Sequence, residues 1–120
     1  MSKMTDQRIT QIHELIETMI DAAQYVQNQI NEGDLSMAII VTEDLIAGFV
    51  SIEQTFIGMT ADLVEYEKVD RQLALVKESL NKIVLSFESN EPQQVASIIN
   101  RSLTKQLREM LALLETTSVS

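Results

Sequence analysis

The chain has 120 residues, 45% of them apolar, with three Gly, one Pro and no Cys; that length fits one domain able to bury a core without covalent staples. The missing cysteine excludes disulfides, thiol catalysis and thiolate metal sites, and fits a reducing, cytoplasmic setting. A formal net charge of −9 repels phosphate backbones and argues against nucleic acid as a partner.

The charge is unevenly placed. Residues 34–68 hold Asp34, Glu43, Asp44, Glu53, Asp62, Glu65 and Glu67 against the single Lys68. The opening MSKMTDQRIT has no apolar segment of the signal-peptide kind. The longest unbroken apolar run, residues 45–50, is far shorter than a membrane span, so no membrane partner is expected. Scarce Gly and Pro beside abundant Leu, Ile, Ala, Glu, Gln and Lys predict helix nearly throughout.

Helix 1 is expected over about residues 5–32. Ile9, Ile12, Ile16, Met19, Ala23, Val26 and Ile30 recur at alternating spacings of three and four, a heptad-like seam. Leu15, Ile20 and Ala22 widen it, and Thr5 stands where an N-cap would. Gly33 suits the left-handed position after the helix, and Asp34 then suits the N-cap of the next. So short a connection makes helices 1 and 2 antiparallel neighbours.

Helix 2 is expected over about 35–64. One seam runs through Ala38, Val41, Leu45, Phe49, Ile52, Phe56, Met59 and Leu63, and a second stripe through Ile39, Ile46, Val50, Ile57 and Val64. Together they exceed the roughly 100° apolar face of a surface helix. Helix 2 therefore either sits centrally or offers its second stripe to another chain. Gly58 with Thr60 could end it, but the repeat continues through Gly58, which favours a break within residues 65–70.

Helix 3 is expected over about 69–88, on Val69, Leu73, Val76, Leu80, Ile83 and Phe87. Ser89-Asn90-Glu91-Pro92 reads as a turn in which Ser89 or Asn90 caps helix 4 and Pro92 occupies its first turn. Helix 4, about 91–115, carries Val95, Ile99, Leu103, Leu107, Met110 and Leu114 on its core side. The expected fold is all-α: an antiparallel up-down-up-down four-helix bundle forming a single domain over residues 1–120.

No catalytic constellation stands out. A di-metal bundle needs Glu-x-x-His pairs, but His13 is the chain's one histidine and Thr10 precedes it by three. His13, one turn from Glu17, reads as a boundary residue. Glu43 and Asp44 point about 100° apart on a helix and cannot converge on one atom. Phosphate loops, nucleophile elbows and calcium-loop spacings are absent. The expectation is a non-enzyme with no metal and no cofactor. Arg101, Lys105 and Arg108 form one basic stripe on helix 4, suited to pairing with neighbouring acidic helices, to an acidic partner, or to helix 2 of a second copy.

The run GDLSMAIIVTEDLIAGF resembles a group of small, uncharacterised helical proteins of Gram-positive bacteria. The resemblance rests on the Gly-Asp turn and on Glu43-Asp44-Leu45-Ile46-Ala47-Gly48, with LNKIVLSFESNEPQQVASII following, and covers about residues 9–115. It implies a helical fold and no particular activity. In layout the chain is also similar to flagellar export chaperones, acidic four-helix bundles that cradle helical segments of their clients. Two roles follow as expectations. One is a chaperone- or adaptor-like interaction module that binds a partner helix through Ile39, Ile46, Val50, Ile57 and Val64, with Arg101, Lys105 and Arg108 as further contacts. The other is a structural homodimer formed through helix 2.

Overall fold

The computed structural model of the chain describes residues 3–57 and 66–116, and the elements formed there are all helical. Helix α1 is Lys3–Asn31, α2 is Leu35–Ile57 and α3 is Tyr66–Glu88. The fourth helix, α4, is continuous in three parts: α-helical Pro92–Ile98, a π-helical turn Ile99–Leu103, and α-helical Thr104–Thr116.

The α1 seam buries as its spacing requires: Ile12, Ile16, Met19, Ala23, Val26 and Ile30 are each at most 4% exposed, with Ile9 half-buried beside them. Each fully buried large side chain is worth about 1.5–3 kcal/mol, and this row anchors the core. Thr5 is not the N-cap, because the helix already runs from Lys3 and nothing between the two interrupts it. At the other end Gly33 adopts φ +83°. The Gly33 amide donates to the Ile30 carbonyl at 3.1 Å and the Asp34 amide to the Gln29 carbonyl at 2.8 Å, the paired bonds of a Schellman stop. The Asp34 carboxylate then accepts from the Met37 amide at 3.1 Å and caps α2.

The inner seam of α2 differs from its sequence reading at one position. Ala38, Thr42, Leu45, Phe49, Ile52 and Phe56 are buried, while Val41 is only half-buried. With Thr42 the spacing is a strict four-three alternation, which the Val41 reading broke. Thr42 can lie inward because its hydroxyl donates to the Ala38 carbonyl one turn back, at 2.8 Å. Met59, Leu63 and Val64, the alternative stop at Gly58, and Glu65 of the favoured break lie outside the described residues.

Helix α3 begins at Tyr66, so no break falls within residues 66–70. The helix runs unbroken from Tyr66 through the buried Val69, Leu73, Val76, Leu80 and Ile83. The α3–α4 turn also departs from expectation. Asn90 takes φ +58°, its amide donates to the Phe87 carbonyl at 3.0 Å, and the Glu91 amide donates to the Ser86 carbonyl at 2.8 Å. Asn90 thus stops α3, a left-handed position that asparagine tolerates better than most residues. Glu91, not Ser89 or Asn90, is the N-cap of α4, with no side-chain cap bond and with Pro92 opening the helix.

Within α4 the buried residues Val95, Ile99, Leu103 and Leu107 are spaced by four throughout. Four residues overshoot an α-helical turn by about 40°, so three such steps would carry Leu107 about 120° away from Val95. The π turn absorbs the surplus: the Thr104 amide bonds the Ile99 carbonyl, five residues back. The face α4 shares with α3 is polar in part. Gln72 Nε2 donates to the Gln106 carbonyl at 3.0 Å and lies 3.3 Å from Glu109 Oε2, while the Ser79 hydroxyl donates to Gln106 Oε1 at 2.6 Å. These bonds allow Gln72 and Ser79 to be buried.

Helix α1 packs along α2 and along α4, and α4 packs along α3. The remaining seam, between α2 and α3, is sparsely packed. The helices form a ring in the order α2, α1, α4, α3, tight everywhere except where the ring closes.

Candidate functional site

The open seam has a simple origin in the sequence of α2. Each buried inner-seam residue is followed by a member of a second seam: Ile39, Glu43, Ile46, Val50, Glu53 and Ile57. One residue further along a helix is about 100° further round, so this second seam points past the core toward the side where α3 lies. Ile39 is 43% exposed, Val50 42% and Ile57 66%, and Ile46 is half-buried. The stripe read from the sequence is therefore present and largely uncovered.

Helix α3 supplies the opposite wall. Ile39, Thr42, Glu43 and Ile46 of α2 and Val84, Phe87 and Glu88 of α3 line a groove of about 320 Å³. Its walls are apolar and its rim carries Glu43 and Glu88. A second hollow on the same pair of helices, about 280 Å³, is lined by Glu53, Phe56, Ile57, Asp70, Leu73, Ala74 and Lys77. Lys77 Nζ stands 3.7 Å from Glu53 Oε2, a partly exposed ion pair worth at most about 1 kcal/mol. It is a light clasp across a seam that apolar packing leaves loose. Sequence reasoning placed Phe87 in the core and passed over Val84. The available signal was that Val84 follows buried Ile83 as Ile39 follows buried Ala38.

Apolar exposure on α2 is not confined to the groove, since Met37 is 36% exposed and Ile40 52%. By length and composition alone α2 could cross a membrane, with a mean hydropathy of 1.8 and 28% of its most apolar stretch buried. The count of unbroken apolar residues missed this, because Thr42, Glu43 and Asp44 divide the run.

The basic stripe behaves differently from its simplest expectation. Arg101, Lys105 and Arg108 are all exposed. None of the three makes an ion pair among the described residues, so the pairing with neighbouring acidic helices is not formed. The stripe lies on α4 and the groove on α2 and α3. His13 is a boundary residue, with Nδ1 3.1 Å from Glu17 Oε1 and Nε2 3.5 Å from Glu115 Oε1 at the end of α4.

No curated protein and no solved structure matches the chain. A family model does, over residues 7–113, a span that takes in all of α2 and α3 and hence both walls of the groove. The chain belongs to that family, the domain of unknown function DUF8042.

Proposed function

We propose that the chain is a non-enzymatic, cytoplasmic protein-interaction module, adaptor- or chaperone-like, that receives an amphipathic partner helix on α2 and α3. The observation that carries this reading is the second α2 seam, apolar at Ile39, Ile46, Val50 and Ile57 and lying open where α2 packs sparsely against α3. Exposed apolar surface arranged along one groove is the signature of a docking site. In this reading the four helices run up-down-up-down. The Gly33 turn is tight, Gly48 lies against Met19, and Gln106 bonds both Gln72 and Ser79. Lipid is a poorer occupant, because Glu43 and Glu53 interrupt the seam itself and charge within a bilayer is costly. Arg101, Lys105 and Arg108 are assigned to a separate acidic contact on the partner.

One observation favours self-association as a second reading. The outer seam is symmetric about Gly48. A two-fold antiparallel pairing of α2 would set Ile39 against Ile57 of a second copy, Glu43 against Glu53, and Ile46 against Val50. The Glu43–Glu53 meetings oppose like charges, which disfavours this arrangement.

A photo-crosslinking residue placed at Val50, with exposed Glu78 as the control position, separates the two in cells. The expected product is a Val50-specific adduct to a different protein. An adduct at twice the 13.5 kDa chain mass would establish the homodimer instead, and labelling no stronger than at Glu78 would remove the site.

A further inference from the structure

We infer that the occupant of the α2–α3 groove is a basic amphipathic helix of about five turns. This rests on the docking reading above and adds the chemistry of the partner. The groove is apolar inside and acidic at its edge. Glu43 and Glu88 rim one hollow, Glu53 and Asp70 the other. Among the described residues, the single cation lining either hollow is Lys77, and it already faces Glu53 at 3.7 Å. Glu43, Glu88 and Asp70 make no ion pair among the described residues. Four carboxylates against one engaged ammonium leave the rim with a surplus of negative charge. A helix with acidic flanks would be repelled there, and one with Lys or Arg flanks would be drawn in and held in register.

The length follows from the seam. Ile39 and Ile57 are 18 residues apart, or about 27 Å along the helix. A partner helix of about 18 residues covers that distance. Apolar residues at i, i+3, i+4 and i+7 would meet Ile39, Ile46, Val50, Val84 and Phe87, while basic residues flanking that stripe would reach the rim.

The test uses the full chain and synthetic 18-residue helical peptides that share one leucine stripe and differ only in their flanks: lysine, glutamine or glutamate. Binding is measured by fluorescence anisotropy at low and at high salt. The expected order is lysine, then glutamine, then glutamate. The first step should be about tenfold at low salt, the sum of several modest rim pairs, and should shrink as salt screens them. Glu43→Lys with Glu88→Lys should invert the order, and Ile57→Asp, at a position 66% exposed, should weaken every peptide without unfolding the chain.

Equal binding by the three peptides, all weakened by Ile57→Asp, would overturn the basic partner and leave the groove reading standing. Lysine-peptide binding indifferent to Ile57→Asp would be general charge attraction and would overturn the inference. No binding by any peptide would remove the groove as a helix site. Binding of phosphatidylcholine vesicles in place of peptide, or dimerisation that shuts the peptides out, would assign the surface to lipid or to a second copy.

Discussion

Thr42 shows how one polar residue can hide a repeat. Its hydroxyl bonds back to the Ala38 carbonyl, so the side chain presents mainly its methyl group to the core, and the strict heptad of α2 passes through it. Gly48 is simpler still. A β-carbon there would meet Met19 Cγ at 3.5 Å, an ordinary contact, so packing does not require glycine. Gly48→Ala is expected to stabilise the fold by roughly 0.5–1 kcal/mol through helix propensity, read as a higher urea midpoint at unchanged slope. A loss of stability would mean that Met19 cannot yield even that little. Asn90 is the opposite case, because its φ of +58° is needed to close the α3 stop. Asn90→Gly should be neutral or slightly stabilising. Asn90→Val should cost about 1–2 kcal/mol in the same measurement, since a branched side chain is strained in the left-handed region.

Among the elements, the π turn of α4 is the feature with the clearest cause. Four-residue spacings from Val95 to Leu107 need one residue more than an α-helix provides, and Ile99–Leu103 holds it. Deleting Asn100, exposed within that turn, removes the surplus residue and should restore plain α-helix with Val95, Ile99, Leu103 and Leu107 still on one face, now at four-three-four spacing. The expected change in the unfolding midpoint is small, about 1 kcal/mol or less, and a large drop would contradict this origin of the turn. The polar layer beside it gives a second expectation. Ser79→Ala leaves Gln106 Oε1 without its 2.6 Å donor and should cost about 1 kcal/mol, most of which Ser79→Ala with Gln106→Leu should return.

The seams of α1, α3 and α4 were legible because apolar residues alone draw them. The inner seam of α2 was legible except at Thr42, where a polar side chain satisfies itself locally. Helix stops were legible in type but not in assignment. Asn90 suits a cap and a stop equally, and only the bonds to Phe87 and Ser86 decide between them.

For the whole molecule the governing fact is a ring of four helices that packs firmly along α1–α2, α1–α4 and α3–α4 and loosely along α2–α3. The surplus apolarity of α2 was legible in its two stripes. That α3 rather than solvent alone forms the far wall was not, because the sequence does not say which neighbour stands beside the second stripe. The acid rim was legible as charge but not as a rim, since Glu43 and Glu88 are brought together only by folding. The basic stripe of Arg101, Lys105 and Arg108 was legible as a stripe, and its lack of ion pairs among the described residues was not.

The claim that the second α2 seam is a docking surface is tested most directly by amide chemical-shift mapping on the isotope-labelled chain, titrated with the lysine-flanked helical peptide. The expected result is saturable shifts confined to α2 from Ile39 to Ile57 and to α3 from Asp70 to Glu88. Shifts centred on α1 or α4, or none beyond those caused by salt, would contradict it.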